Sequence, residues 1–117
     1  MSQRLYHITS ADQWCKAQTT GEYQPTGFAR EQFIHCSYRH QLLTVANRFY
    51  RGQNGLVILL IDSSKIKVGL IEENLEGGTE LYPHLYGVLP IDAVTKAIAF
   101  PCNADGSFTL PEELIRN

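Results

Sequence analysis

The chain is short of several things, and each shortage closes a class of function. Its longest apolar run, GLVILLI, is far too short to cross a bilayer as a helix. The opening MSQRLYHITS holds no apolar stretch of the kind that a secretion signal needs, so a cytoplasmic location is expected. No run of Lys or Arg occurs and the formal net charge is only −2, so duplex DNA or RNA is not an expected partner. The three cysteines, Cys15, Cys36 and Cys102, are odd in number and lack C-x-x-C spacing. That excludes a disulfide scaffold and a structural zinc site, and suits a reducing compartment. Repeats and low-complexity tracts are missing too, and nothing in the sequence speaks to oligomeric state.

What is present is ordinary for a globular fold. With 117 residues, 44% hydrophobic and 19% charged, the chain is expected to form one domain over residues 1–117 with a single core. An extended segment, Leu5–Ile8, leads to Ser10, and the S-x-x-Q pattern with Gln13 marks a capped helix that stops at Gly21. Residues 22–32 carry Pro25 and Gly27 and read as loop. QFIHCS reads as a second strand, with Ser37 able to cap a longer helix. In that helix Leu42, Val45, Ala46 and Phe49 form one apolar face, and Gly52 ends it. GLVILLID predicts a central strand covered on both faces. A turn at DSSK leads to a strand over IKVGLIEEN, then a glycine loop at LEGGTE and a turn at Pro83–His84. TKAIAF reads as the last strand and LPEELIRN as a short helix. About two main helices against five or six short strands give an α+β fold.

The unusual residues are His7 in LYHIT, His35 in FIHCS and His84 in YPHLYG. Each is flanked by aromatic or aliphatic residues. A lone histidine of this kind is most often a packed side chain bonded to a backbone carbonyl. Three of them, each with a hydroxyl two residues on (Thr9, Ser37, Tyr86), instead suggest one cleft lined by imidazole and hydroxyl groups. Such a lining suits a polar ligand with ribose or phosphate groups. A metal site competes, since histidine ligates zinc and iron, but no H-x-H, H-E-x-x-H or carboxylate in fixed register supports it, so no metal is expected. A nucleophilic Cys36 is weaker, because on a strand it points away from His35 and into the core. Ser37 lacks a G-x-S-x-G elbow. Among the acidic residues Glu72, Glu73, Glu76 and Glu80, a carboxylate at a strand end can reach the same cleft. Glu73 is the first candidate and Glu80 the second.

In order along the chain, LYHIT, Trp14, GEY, FIHCS, Gln41, VANRFYRG, LVILLID, Glu73 and LYPHLYG resemble the bacterial domain of unknown function family numbered 952. The resemblance covers nearly the whole chain, and IHCS and PHLYG are its specific motifs. More distantly, YH-x-T, an IHxS that opens a helix and VxLxID are similar to the catalytic lobe of RNA 2′-phosphotransferases, members of the ADP-ribosyltransferase superfold. That similarity implies a split mixed or antiparallel sheet gripping NAD. By that similarity His7 matches the first-strand histidine that positions the adenosine ribose or the nicotinamide, His35 and Ser37 the second motif, and Glu73 or Glu80 the third, acidic one. Taken with the cleft read from the residues, His7, His35 and Glu73 are the expected catalytic residues, and Thr9, Ser37, Gln41, Glu80, His84 and Tyr86 are expected to bind the nucleotide. The phosphotransferases have HGT where this chain has His7-Ile8-Thr9, their N-terminal lobe with its Arg-His pair is absent, and only Arg30 lies near the place of one of their arginines. Removal of an RNA phosphate is therefore not expected.

Two functions of different class follow. One is an NAD- or nucleotide-dependent ADP-ribosyl or glycosyl transferase, the other a non-catalytic module for a small metabolite. A metal-dependent enzyme ranks third. The carboxylate discriminates the first two: glycosidic chemistry needs Glu73 or Glu80 to face the histidines.

Overall fold

Strand β4 (Leu56–Asp62) is the unbroken apolar run of the sequence and the middle strand of a three-stranded sheet. It pairs antiparallel with β1 (Arg4–Ser10) on one side and with β8 (Val94–Ala99) on the other. The computed structural model describes residues 4–24, 32–66, 69–74 and 80–115. Both faces of β4 are covered, as its composition requires. Ile58 and Leu60 pack with Tyr6, Ile8, Leu42, Ala46 and Phe100 on one face. Leu59 and Ile61 pack with Leu5, Ala17, Tyr23, Ile34 and Leu89 on the other. A β-strand sends alternate side chains to opposite faces, so one seven-residue strand organises both cores.

Helix α1 (Ala11–Thr20) begins where expected: Ser10 Oγ accepts the Gln13 N–H at 3.1 Å. Gly21 closes it at φ +90°, a conformation that costs glycine little. The loop expected over residues 22–32 contains a short strand, β2 (Glu22–Tyr23), paired with β7 (Leu89–Pro90). Pro25, Gly27 and Arg30 lie outside the described residues. Helix α2 (Leu42–Phe49) follows a 3-10 turn at Arg39–Gln41. Its apolar face divides, with Leu42 and Ala46 fully buried and Phe49 half exposed. A short helix, α3 (Glu112–Ile115), ends the described chain.

A second three-stranded sheet has the order β3 (Ile34–His35), β6 (Tyr82–Leu85), β5 (Leu70–Glu73). The Pro83–His84 turn expected from the sequence is thus strand, and the middle strand of its sheet. Of the strand expected over IKVGLIEEN, Leu70–Glu73 is strand among the described residues, while Lys67, Val68 and the glycines of LEGGTE lie outside them. All described strand pairs are antiparallel, so the sheet is split but not mixed. The domain is α+β.

Proline in a central strand needs an explanation, because it removes a ladder donor. Pro83 C=O accepts the Cys36 N–H at 2.9 Å, but Pro83 has no N–H to return to Cys36. The ladder between β3 and β6 ends on this half rung. One residue later the chain turns to β1 instead, where Ser37 and Tyr6 exchange both backbone hydrogen bonds, at 2.7 and 2.9 Å. Ser37 is therefore a bridge residue and not the helix cap. Among the described residues its single rung joins the two three-stranded sheets.

Gly69 holds the second sheet close to the segment after β6. Its carbonyl accepts the Tyr86 N–H at 2.7 Å, and a Cβ there would sit 2.5 Å from the Tyr86 carbonyl oxygen. With φ at +81° as well, Gly69→Ala should cost about 2 kcal/mol, read by urea unfolding. A change of less than about 0.5 kcal/mol would mean that the loop relaxes freely.

Candidate functional site

A cleft of about 410 Å³ opens where the two sheets part. His7 from β1, His35 from β3, and Glu73 and His84 from β5 and β6 line it together. Ser37, Asn74 and Tyr82 add polar groups, and Ile8, Cys36, Val45, Phe49 and Tyr50 complete the wall. Phe49 is the apolar residue that α2 leaves outside the core, which accounts for its exposure.

His35 is presented by its strand. Ile34 and Cys36 are buried while His35 between them is exposed, as period-2 alternation demands. His84 lies directly across the ladder from it, with the two ring centroids 5.1 Å apart in an edge contact. Phe33 stacks on His84 at 4.4 Å and meets His35 edge-on at 4.7 Å. The His84 Nδ1–H donates to Glu73 Oε1 at 2.9 Å, and the Tyr86 hydroxyl donates to the same oxygen at 2.6 Å. The Tyr86 bond first, and the His84 bond second, hold the Glu73 carboxyl below its ordinary pKa.

His7 is a different kind of residue. Its Nδ1 lies 2.5 Å from the His35 carbonyl oxygen, and its Nε2 lies 2.8 Å from the Tyr23 hydroxyl. Burial lowers its pKa to about 4, against the help of the His35 carbonyl. The ring is therefore neutral at pH 7. A carbonyl only accepts, so the proton sits on Nδ1 and Nε2 needs a donor. Tyr23 supplies it, and the Thr9 hydroxyl, 2.7 Å from the Tyr23 oxygen, completes the chain. Both His7 nitrogens are thus occupied in tying β1 to β2 and β3.

The split leaves main-chain groups facing the cleft. Tyr6 turns its N–H and C=O toward Ser37, so alternation turns those of Ile8 the same way. No rung between Ile8 and His35 forms among the described residues; the His35 carbonyl takes the His7 ring instead, and the Ile8 carbonyl receives the Tyr50 hydroxyl at a long 3.5 Å. Ile8 thus offers an N–H and a C=O side by side. Sequence reasoning missed this pair, since a backbone group leaves no residue-type signal. It also missed Phe33, Phe49 and Tyr82, of which Phe33 and Tyr82 stand in or beside the histidine motifs.

The expected nucleotide-binding residues do not all converge. Ser37, at 6% exposure, lines the cleft with His84. Tyr86 stands behind Glu73 and packs on Phe33 at 5.0 Å. Thr9 is turned inward onto Tyr23. Gln41 is consumed structurally: its Oε1 accepts the Tyr38 N–H, and its Nε2 donates to Glu80 Oε1 and to the Leu81 carbonyl. Glu80 is held by Gln41 and His40; among the described residues, Glu73 is the acidic side chain in the cleft wall. Glu72 accepts the Tyr38 hydroxyl at 2.5 Å, and Glu76 lies outside the described residues. Cys36 lines the wall, but burial raises its thiol pKa to about 12, which leaves no thiolate at pH 7. Among the described residues no group of three His, Cys, Asp or Glu side chains is placed to hold a metal ion.

Two crystal structures of protein CC0527 from Caulobacter crescentus, one of the protein itself and one of a double mutant of it, are similar to this chain at 30% identity. They align with TM-scores of 0.86 and 0.85, over 96% of this chain and 98% of theirs. The solution NMR structure of CC0527, also at 30% identity, aligns at 0.81 over 97% of this chain and 98% of its own. No curated protein matches. The family model described as protein of unknown function (DUF952) matches residues 8–97, and the chain belongs to that family.

Proposed function

We propose that the cleft takes the nicotinamide-ribose end of NAD, or a closely related nucleotide, and cleaves or transfers across its N-glycosidic bond as ADP-ribosyltransferases do. The observation that carries this is the shared wall: Glu73 faces the same space as His7, His35 and His84. Departure of nicotinamide builds positive charge on the ribose, and a fixed, ionised carboxylate stabilises that charge. Two supports come from elsewhere in the cleft. The adjacent N–H and C=O of Ile8 complement a primary carboxamide, which needs one donor and one acceptor. No Lys or Arg lies among the described lining residues, so the cationic nicotinamide end suits the interior and the phosphates belong at the mouth. The same charge pattern disfavours an RNA phosphate as substrate.

NAD at about tenfold its Kd should raise the melting temperature by about 5 °C, through preferential binding to the folded state. Zinc should raise it less. His35→Ala should abolish the NAD shift while unfolding as cooperatively as the wild type, since its side chain is exposed. A shift with NAD but no release of nicotinamide would identify a binding module. A response to divalent metal and to no nucleotide would end the proposal.

A further inference from the structure

We infer that Glu73 and His84 form a proton-accepting dyad, with His84 Nε2 as the base, and that the group it serves is a hydroxyl: water or an alcohol acceptor. The second half rests on the glycosidic reading above; the first stands on geometry alone.

A carboxylate only accepts, so the 2.9 Å bond from His84 Nδ1 to Glu73 Oε1 fixes the proton on Nδ1. A neutral imidazole then carries its lone pair on Nε2. Among the described residues no sealed side-chain nitrogen or oxygen lacks a partner, and Glu73 is the hydrogen-bond partner found for His84. Nε2 is therefore open to solvent-accessible space, and His84 lines the cleft. The ring is held on its face, at one edge and at Nδ1. Phe33 stacks on its face, His35 meets its edge, and Tyr86 pins the oxygen that receives Nδ1. The titratable groups facing it are thus Glu73, Tyr86 and His35.

A base oriented by a carboxylate is what an O–H nucleophile requires. An anionic nucleophile, carboxylate or phosphate, has no proton to give and would meet the charge of Glu73. In the step, the acceptor oxygen bonds to the ribose C1 as its proton passes to His84 Nε2. The bond from C1 to the nicotinamide nitrogen breaks, and its electron pair neutralises the departing pyridinium. His84 becomes an imidazolium paired with Glu73.

Two measurements on the full chain test this. Diethyl pyrocarbonate acylates unprotonated imidazole nitrogens, so at pH 8 peptide mass spectrometry should find His84 modified at least about tenfold faster than His7, both of whose nitrogens are engaged. Nitrogen-15 NMR should show the Nδ1–H tautomer of His84 in the wild type and its loss in Glu73→Ala, which removes the oxygen that accepts it. His84 as unreactive as His7, or an Nε2–H tautomer, would overturn the dyad. In the second measurement His84→Ala should lower nicotinamide release from NAD about 100-fold in kcat, with the affinity for nicotinamide riboside within about twofold. Added methanol should yield the methyl riboside product in the wild type only. An unchanged kcat in His84→Ala would overturn the dyad and leave the glycosidic reading standing. A wild type that neither binds nor cleaves NAD would end that reading and the hydroxyl acceptor with it, and the acylation result then decides the base alone.

Discussion

Glu73→Gln should lower the rate of nicotinamide release by about 100- to 1,000-fold, with little change in nicotinamide riboside affinity. Glutamine has the same shape and keeps an oxygen for the Tyr86 hydroxyl. That oxygen can go on accepting from His84 as well, since both donors share it, but the amide carries no charge to set against the ribose cation. The carboxylate is ionised in the resting protein because Tyr86 and His84 both donate to it, so its charge is in place before the ligand arrives. In the proposed reaction that interaction is stronger in the transition state than in the ground state, and such a loss falls on kcat rather than KM. Single-turnover rates for wild type and variant, with a parallel titration of nicotinamide riboside, make the measurement. A kcat within about threefold of wild type would remove Glu73 from the chemistry. A loss of affinity with kcat intact would make it a binding residue.

Stability should fall by about 3 kcal/mol as pH drops from about 6.5 to about 4, on account of His7 alone. In the unfolded chain the imidazole titrates at its ordinary value of 6.5, whereas in the folded protein burial lowers it to about 4. Between those limits the unfolded state binds the extra proton, so acid favours unfolding; above 6.5 the contribution is complete and the curve is flat. His7→Gln does not titrate there. It should be less stable at pH 7, by about 1–3 kcal/mol, because buried partners on Tyr23 and the His35 carbonyl lose their match. Its stability should then decline more gently with acid, so the two curves converge toward pH 4. Urea unfolding at pH 7, 5.5 and 4.5 gives the difference directly and cancels the carboxylates common to both proteins. Parallel curves would show that His7 is hydrated or already charged.

The two predictions concern residues that looked alike in the sequence. His7 and His35 each stand in a strand beside aliphatic neighbours with a hydroxyl two residues on, and alternation correctly placed His35 outward from Ile34 and Cys36. The convergence of His7, His35 and His84 was legible because three motifs of one composition rarely serve three unrelated cores. Their division of labour was not. His7 is occupied by Tyr23, sixteen residues away in a stretch that carries no periodic signal, and a two-residue strand such as β2 is too short to show one. Thr9 was misread for the same reason. Gln41 and Glu80 looked like ligands because their side chains can bind one, whereas tertiary pairing between residues 38–41 and 80–81 uses them up. Pro83 misled in the other direction. It signals a turn, and here it sits in a middle strand because its missing donor falls where the chain departs for another partner. The central strand, the capped first helix and the α+β class rest on local patterns, and local patterns are what a sequence displays.

Two sheets joined, among the described residues, by one reciprocal pair of backbone hydrogen bonds have the geometry of a door on a frame. The Tyr6–Ser37 rung is the hinge, and Ile8 and His35 stand two residues beyond it. That distance is a lever of about 7 Å at the usual strand rise. A relative rotation of about 10° moves the far end by about 1 Å, which is the scale on which reactive geometry is won or lost. The His7 ring on the His35 carbonyl is the latch, and it is a side chain with a single proton to give on that nitrogen. On this geometry the width of the cleft is a mechanical property, set by the twist between two sheets and by one buried imidazole that bridges them.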